Sequence, residues 1–138
     1  MSFREKSAWI SFVSIALVFF TYFANVVVVP AGRRSGDSFH VFLVLLVALV
    51  VLEVVLHVAI ARQSPRAART PKDERERLID MKATRLAFPV LLVGAFAAMG
   101  TMHLDAGRWV MAHVMLFGVV LAELTRFGAQ IVYHRRGF

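Results

Sequence analysis

From Ala8 to Val29 the chain runs for 22 residues without a charged side chain. A helix rises 1.5 Å per residue, so roughly 20 residues cross a hydrocarbon core of about 30 Å. Three more stretches reach that length: His40–Ala61, Leu86–Leu104 and Trp109–Tyr133. Backbone amides left unpaired in hydrocarbon are costly, so spans must be helices or closed barrels. None of these runs shows the alternation of a barrel strand. The fold class that follows is all-α: a four-helix transmembrane bundle of two helical hairpins, one domain over residues 1–138. Apolar residues make up 59% of the chain and its mean hydropathy is +0.68. A soluble domain of this size lacks the interior to hide that excess. Arg4 and Lys6 before the first run resemble the start of a signal peptide, but the run exceeds an h-region, so a retained span is expected.

Charge is as segregated as apolarity. Eight of the sixteen basic residues lie between the second and third spans: Arg62, Arg66, Arg69, Lys72, Arg75, Arg77, Lys82 and Arg85. With Arg4, Lys6, Arg135 and Arg136 they place both termini and the 62–85 loop in the cytoplasm by the positive-inside rule. Only Arg33, Arg34 and Arg108 fall on the other side. The net charge of +7 therefore suits an anionic leaflet, and nucleic acid is not an expected partner. Trp9, Trp109 and Tyr133 stand at span ends, where interfacial aromatics belong. The loop carries a helix start: Thr70 as cap, Pro71 in the first helical position, and Asp73, Glu74 and Glu76 at the positive end of the dipole. Pairs Lys72–Glu76 and Asp73–Arg77 support that cytoplasmic helix, which runs on into span three, where Pro89 should bend it.

The ionisable residues inside the spans are the candidate site. Glu53 and His57 share a face of span two at i,i+4, and Glu123 and Arg126 share one of span four at i,i+3. A charge at mid-helix costs roughly 2.5–3.5 kcal/mol, so such residues turn inward and find partners. One polar cluster is expected, with Arg126 neutralising Glu53, Glu123 or both. It is either a clamp that sets helix register or a path for protons, ions or a polar ligand.

Metal or haem is a weaker prospect. Glu53-x-x-x-His57 departs from the Glu-x-x-His spacing of carboxylate-bridged sites, and Arg126 would repel a cation. On the outer side His40, His103, Asp105 and His113, with Asp37, could ligate zinc, copper or haem, although ordinary interfacial histidine explains them as well. No cofactor is expected. The absence of cysteine removes disulfides and thiolate chemistry. No Walker A, GxGxxG, His-Glu-x-x-His or nucleophile elbow occurs. Small residues in spans three and four, Gly94, Ala95, Ala97, Ala98, Gly100, Gly118 and Gly128, favour close helix approach. Phe12, Phe19, Phe20 and Phe23 suit packing or lipid contact.

The halves also echo each other. Lys6–Phe12 aligns with Lys82–Phe88, and Val51-Leu52-Glu53 with Leu121-Ala122-Glu123. A parallel internal repeat and chance similarity between apolar runs both account for this.

The segment Asp73-Glu-Arg-Glu-Arg-Leu-Ile-Asp-Met-Lys-Ala-Thr-Arg85 before an apolar span, with Tyr133-His-Arg-Arg-Gly137 at the end, resembles small bacterial four-span membrane proteins. That resemblance implies the bacterial cytoplasmic (inner) membrane and brings no catalytic residue. Size then favours a regulatory or accessory role, through contact with lipid, with a second copy, or with another membrane or cytoplasmic protein. The alternative is a minimal oligomeric transporter or channel built on the Glu/His/Arg cluster.

Overall fold

The structure is a computed structural model that describes residues 3–28, 37–63, 65, 71–104 and 106–136. Four helices account for nearly all of these: α1 (Phe3–Val28), α2 (Asp37–Gln63), α3 (Glu74–Gly100) and α4 (Arg108–Arg136). Each is long and apolar enough to cross a membrane, and no strand occurs among the described residues. The expected all-α class holds. The chain divides into two compact units, residues 1–70 and 71–138. Each is an antiparallel helical hairpin, called here hairpin one (α1–α2) and hairpin two (α3–α4).

In hairpin one, α1 buries Glu5, Ala8, Ser11, Ser14, Phe19 and Tyr22. Their steps of three residues, with one of five, keep them on one face. The phenylalanines divide accordingly: Phe19 is buried, whereas Phe20 is 76% exposed. Trp9 packs edge-on to Phe12, with ring centroids 6.1 Å apart. α2 is far barer, with Leu49 its only buried side chain among the described residues. A helix that is apolar all round needs no aqueous-type core, because lipid tails solvate it.

Hairpin two is closed by small side chains. α3 buries Ile79, Ala83, Ala87 and Ala98, and Gly94 lies on the same face. Gly94 meets Gly118 of α4 so closely that a Cβ added at Gly94 would lie 2.6 Å from the Gly118 Cα. The reciprocal addition at Gly118 would lie 2.7 Å from the Gly94 Cα. No real Cβ tolerates that distance to backbone, so both positions require glycine for this crossing.

Several local expectations change. The cap of α3 is Asp73, whose Oδ1 accepts from the Glu74 amide at 2.8 Å. Pro71 and Lys72 lie before the helix, and Thr70 falls outside the described residues. Asp is a strong cap because its carboxylate both accepts an orphan N–H and meets the positive dipole end. The Lys72 ammonium pairs with Asp80 rather than stopping at the first turn. Asp80 also receives Gln130 Nε2 at 3.1 Å, which ties the start of α3 to the end of α4. Arg66 and Arg69 lie outside the described residues. Pro89 stands inside a continuous α3, where it leaves the Arg85 carbonyl without its usual helical donor. The last four residues of the expected third span, Thr101–Leu104, tighten into a 3₁₀ turn. Thr101 caps the helix there, with its hydroxyl donating to the Ala98 carbonyl at 2.6 Å.

Candidate functional site

Within each hairpin the described intramembrane polar residues make contacts of their own. In hairpin one, Glu53 and His57 sit one turn apart on the inner face of α2. Ser7 and Ser11 sit one turn apart on α1. The helices run in opposite directions, so the pairs match as two rungs. Ser11 Oγ donates to Glu53 Oε2 at 2.9 Å. Ser7 Oγ lies 2.9 Å from His57 Nε2. His57 Nδ1 lies 2.7 Å from the Glu53 carbonyl oxygen and 3.3 Å from Glu53 Oε2. The remaining carboxylate oxygen, Glu53 Oε1, is buried and has no hydrogen-bond partner among the described residues.

In hairpin two, Arg126 Nη2 lies 2.7 Å from Glu123 Oε2 on the same helix. The guanidinium also stacks over the adjacent Phe127, with Cζ 4.6 Å from the ring centroid. Flat, weakly hydrated guanidinium suits such a contact. Arg126 Nε is buried and without a hydrogen-bond partner among the described residues. The pair cancels its own charge within one turn, so α4 carries little net charge into the membrane.

Ser7 and Ser11 were not singled out as site residues in the sequence. Their signal was present: Ser7, Ser11 and Ser14 repeat at helical spacing in an otherwise apolar run. The i,i+4 spacing of Ser7 and Ser11 equals that of Glu53 and His57, which is what two antiparallel helices need to pair twice.

His40, His103 and His113 show no metal-site geometry among the described residues. His40 and His103 are exposed, and His113 Nδ1 lies 2.6 Å from the Trp109 carbonyl oxygen of its own helix. Asp105 and the Asp37 side chain fall outside the described residues. Among the described residues no three histidine, aspartate or glutamate side chains converge as a metal ion requires.

On the cationic segment, Arg62, Lys72, Arg75, Arg77, Lys82 and Arg85 are all exposed. They alternate with Asp73, Glu74, Glu76 and Asp80, so the described part of the segment is far less basic than its arginine count suggests.

One cavity adds to this inventory. A groove of about 410 Å³ opens beside the Gly94–Gly118 crossing, between Pro89, Val93, Ala97, Val114, Phe117 and Leu121. Its walls are almost wholly apolar, and the glycines create it by removing side chains where the helices touch.

A family model described as "Predicted membrane protein (DUF2178)" matches residues 5–138, and the chain belongs to that family. No curated protein and no solved structure matches it.

Proposed function

We propose that this member of the family is a regulatory or accessory protein of the bacterial cytoplasmic membrane, with both termini inside, that works by docking its bare helix α2 against a second copy. The supporting observation is a seam of valines among the exposed residues of α2. Eleven of its valines and leucines are exposed, against the single buried Leu49. Val47, Val51, Val54 and Val58 stand out at 61, 55, 58 and 43% exposure. Their 4-3-4 spacing is that of a heptad seam, and it lies to one side of the face that carries Glu53 and His57. Anionic lipid at the Arg62–Arg85 segment would hold the assembly at the leaflet.

The chain has no cysteine, which makes the test clean. Single Val47→Cys, Val51→Cys and Val54→Cys variants in native membranes should form disulfide-linked dimers. Leu49→Cys, on the inner face, should not. Equal cross-linking at all four positions, or none, overturns the docking face.

A second reading has its own observation, the unpartnered Glu53 Oε1. A buried carboxylate oxygen without a donor is a place for a passing cation, and an oligomer of this chain could then carry protons or ions. Flux through proteoliposomes that disappears in Glu53→Gln supports transport. Absence of flux in the cross-linked dimer leaves the accessory role.

A further inference from the structure

We propose that hairpin one contains a proton-binding site in which His57 Nε2 takes the proton, Ser7 reports it by reversing its hydrogen bond, and Glu53 is the fixed counter-charge. The site stands on its own contacts and does not depend on how copies of the chain assemble.

The tautomer comes first. His57 Nδ1 lies 2.7 Å from the Glu53 main-chain carbonyl. A carbonyl oxygen only accepts, so Nδ1 carries a hydrogen whether the ring is neutral or charged. The one atom whose protonation changes is therefore Nε2. It faces Ser7 Oγ at 2.9 Å. A hydroxyl donates to the lone pair of a neutral ring and accepts from the N–H of an imidazolium. The incoming proton forms one N–H bond at Nε2, and the Ser7 O–H rotates away. No heavy atom has to move.

The charge has a partner in place. Glu53 Oε2 lies 3.3 Å from Nδ1 and is held by the Ser11 hydroxyl at 2.9 Å. Glu53 Oε1 is buried without a partner among the described residues. A carboxylate so incompletely satisfied, in a hydrocarbon setting, gains from a positive charge one turn away. Proton transfer onward from Nδ1 to Oε2 would leave an Nδ1 lone pair against the carbonyl oxygen. The proton therefore rests on the ring, which makes this a binding site and not a wire.

Access is from the open end of the hairpin, where α1 starts and α2 finishes. Ser7 is the fifth residue of α1, and His57 is six residues before Gln63 at the end of α2, about 9 Å of helix. Among the described residues of hairpin one, the charged and titratable groups around this end are Arg4, Glu5 and Lys6 on α1 and Arg62 on α2, besides Glu53 itself. Histidine is the side chain suited to sensing pH near neutrality.

The test is nitrogen NMR of the full-length chain in lipid nanodiscs with labelled histidine, the His57 signals being identified by their loss in His57→Gln. On acidification Nε2 should pass from bare to protonated while Nδ1 stays protonated. In Ser7→Ala the signal of the bare Nε2 should move, because its hydroxyl donor is gone, while Nδ1 stays protonated. A neutral ring with its hydrogen on Nε2 overturns the proposal. So does a wild-type ring whose state never changes on acidification, or a bare Nε2 signal that Ser7→Ala leaves unmoved. The wild-type measurement alone decides the first two outcomes if a variant does not fold.

Discussion

In hairpin one the helices meet through hydroxyls: Ser7 on His57 and Ser11 on Glu53. In hairpin two they meet through missing side chains, Gly94 on Gly118, with alanines along the same face of α3. The alignment of Lys6–Phe12 on Lys82–Phe88 sharpens the contrast. It sets Ser7 and Ser11 against Ala83 and Ala87, both buried. The second matched piece sets Glu53 against Glu123. With hydroxyls on its neighbour, Glu53 finds partners across the hairpin. Glu123, in the hairpin with alanines at those positions, finds Arg126 on its own helix. Lipid supplies no hydrophobic drive between helices, so either directed polar contacts or very close backbone packing must do that work. Hairpin one uses the first device, and hairpin two uses the second with one added polar tie, Gln130 on Asp80.

The largest way to break the comparison is at the crossing. Gly118→Leu should destabilise hairpin two by about 3 kcal/mol or more, since the obstruction is backbone that cannot rotate aside. Gly94→Ala should cost less, by the same mechanism. Reversible unfolding in mixed micelles measures both, and little change in either would show that the glycines are incidental. Next comes Arg126→Leu, which strands the Glu123 carboxylate and should cost about 2–3 kcal/mol. The Glu123→Gln, Arg126→Gln pair should recover at least half of that in the same assay. Failure to recover would mean that Arg126 serves something other than its neighbour.

The hydroxyl rungs are worth less singly. Ser11→Ala should lose about 1 kcal/mol, within the range of interhelical hydrogen bonds measured in membranes. Ser7→Ala should lose no more, and the two losses should be coupled because His57 touches both the Glu53 carboxylate and Ser7. Strict additivity would show two independent contacts in place of one network. The smallest effect is expected at Gly100. A Cβ there would meet nothing within 4 Å, so Gly100→Ala should stay within about 0.5 kcal/mol of wild type. A large loss at Gly100 would show that glycine content, not the crossing, governs hairpin two.

Much of the site was legible one helix at a time. The spacing of Glu53 with His57, and of Glu123 with Arg126, needs only 3.6 residues per turn. The capping residue was misjudged because Thr70, Pro71 and Asp73 all carry start signals, and choosing among them requires knowing where the backbone turns. Asp80 and Gln130 were equally unreadable. They are fifty residues apart, and only the packing of α3 on α4 brings them to 3.1 Å.

Span number and helical class followed from the sequence alone, because hydrocarbon enforces them locally on every twenty-residue run. Pairing between helices did not. Any apolar face satisfies lipid equally well, so Ser7 and Ser11, or Gly94 and Gly118, acquire meaning only when a partner helix arrives at a definite register. Tertiary structure decided which polar atoms are satisfied across a hairpin, which are satisfied within a helix, and that Glu53 Oε1 is left over among the described residues.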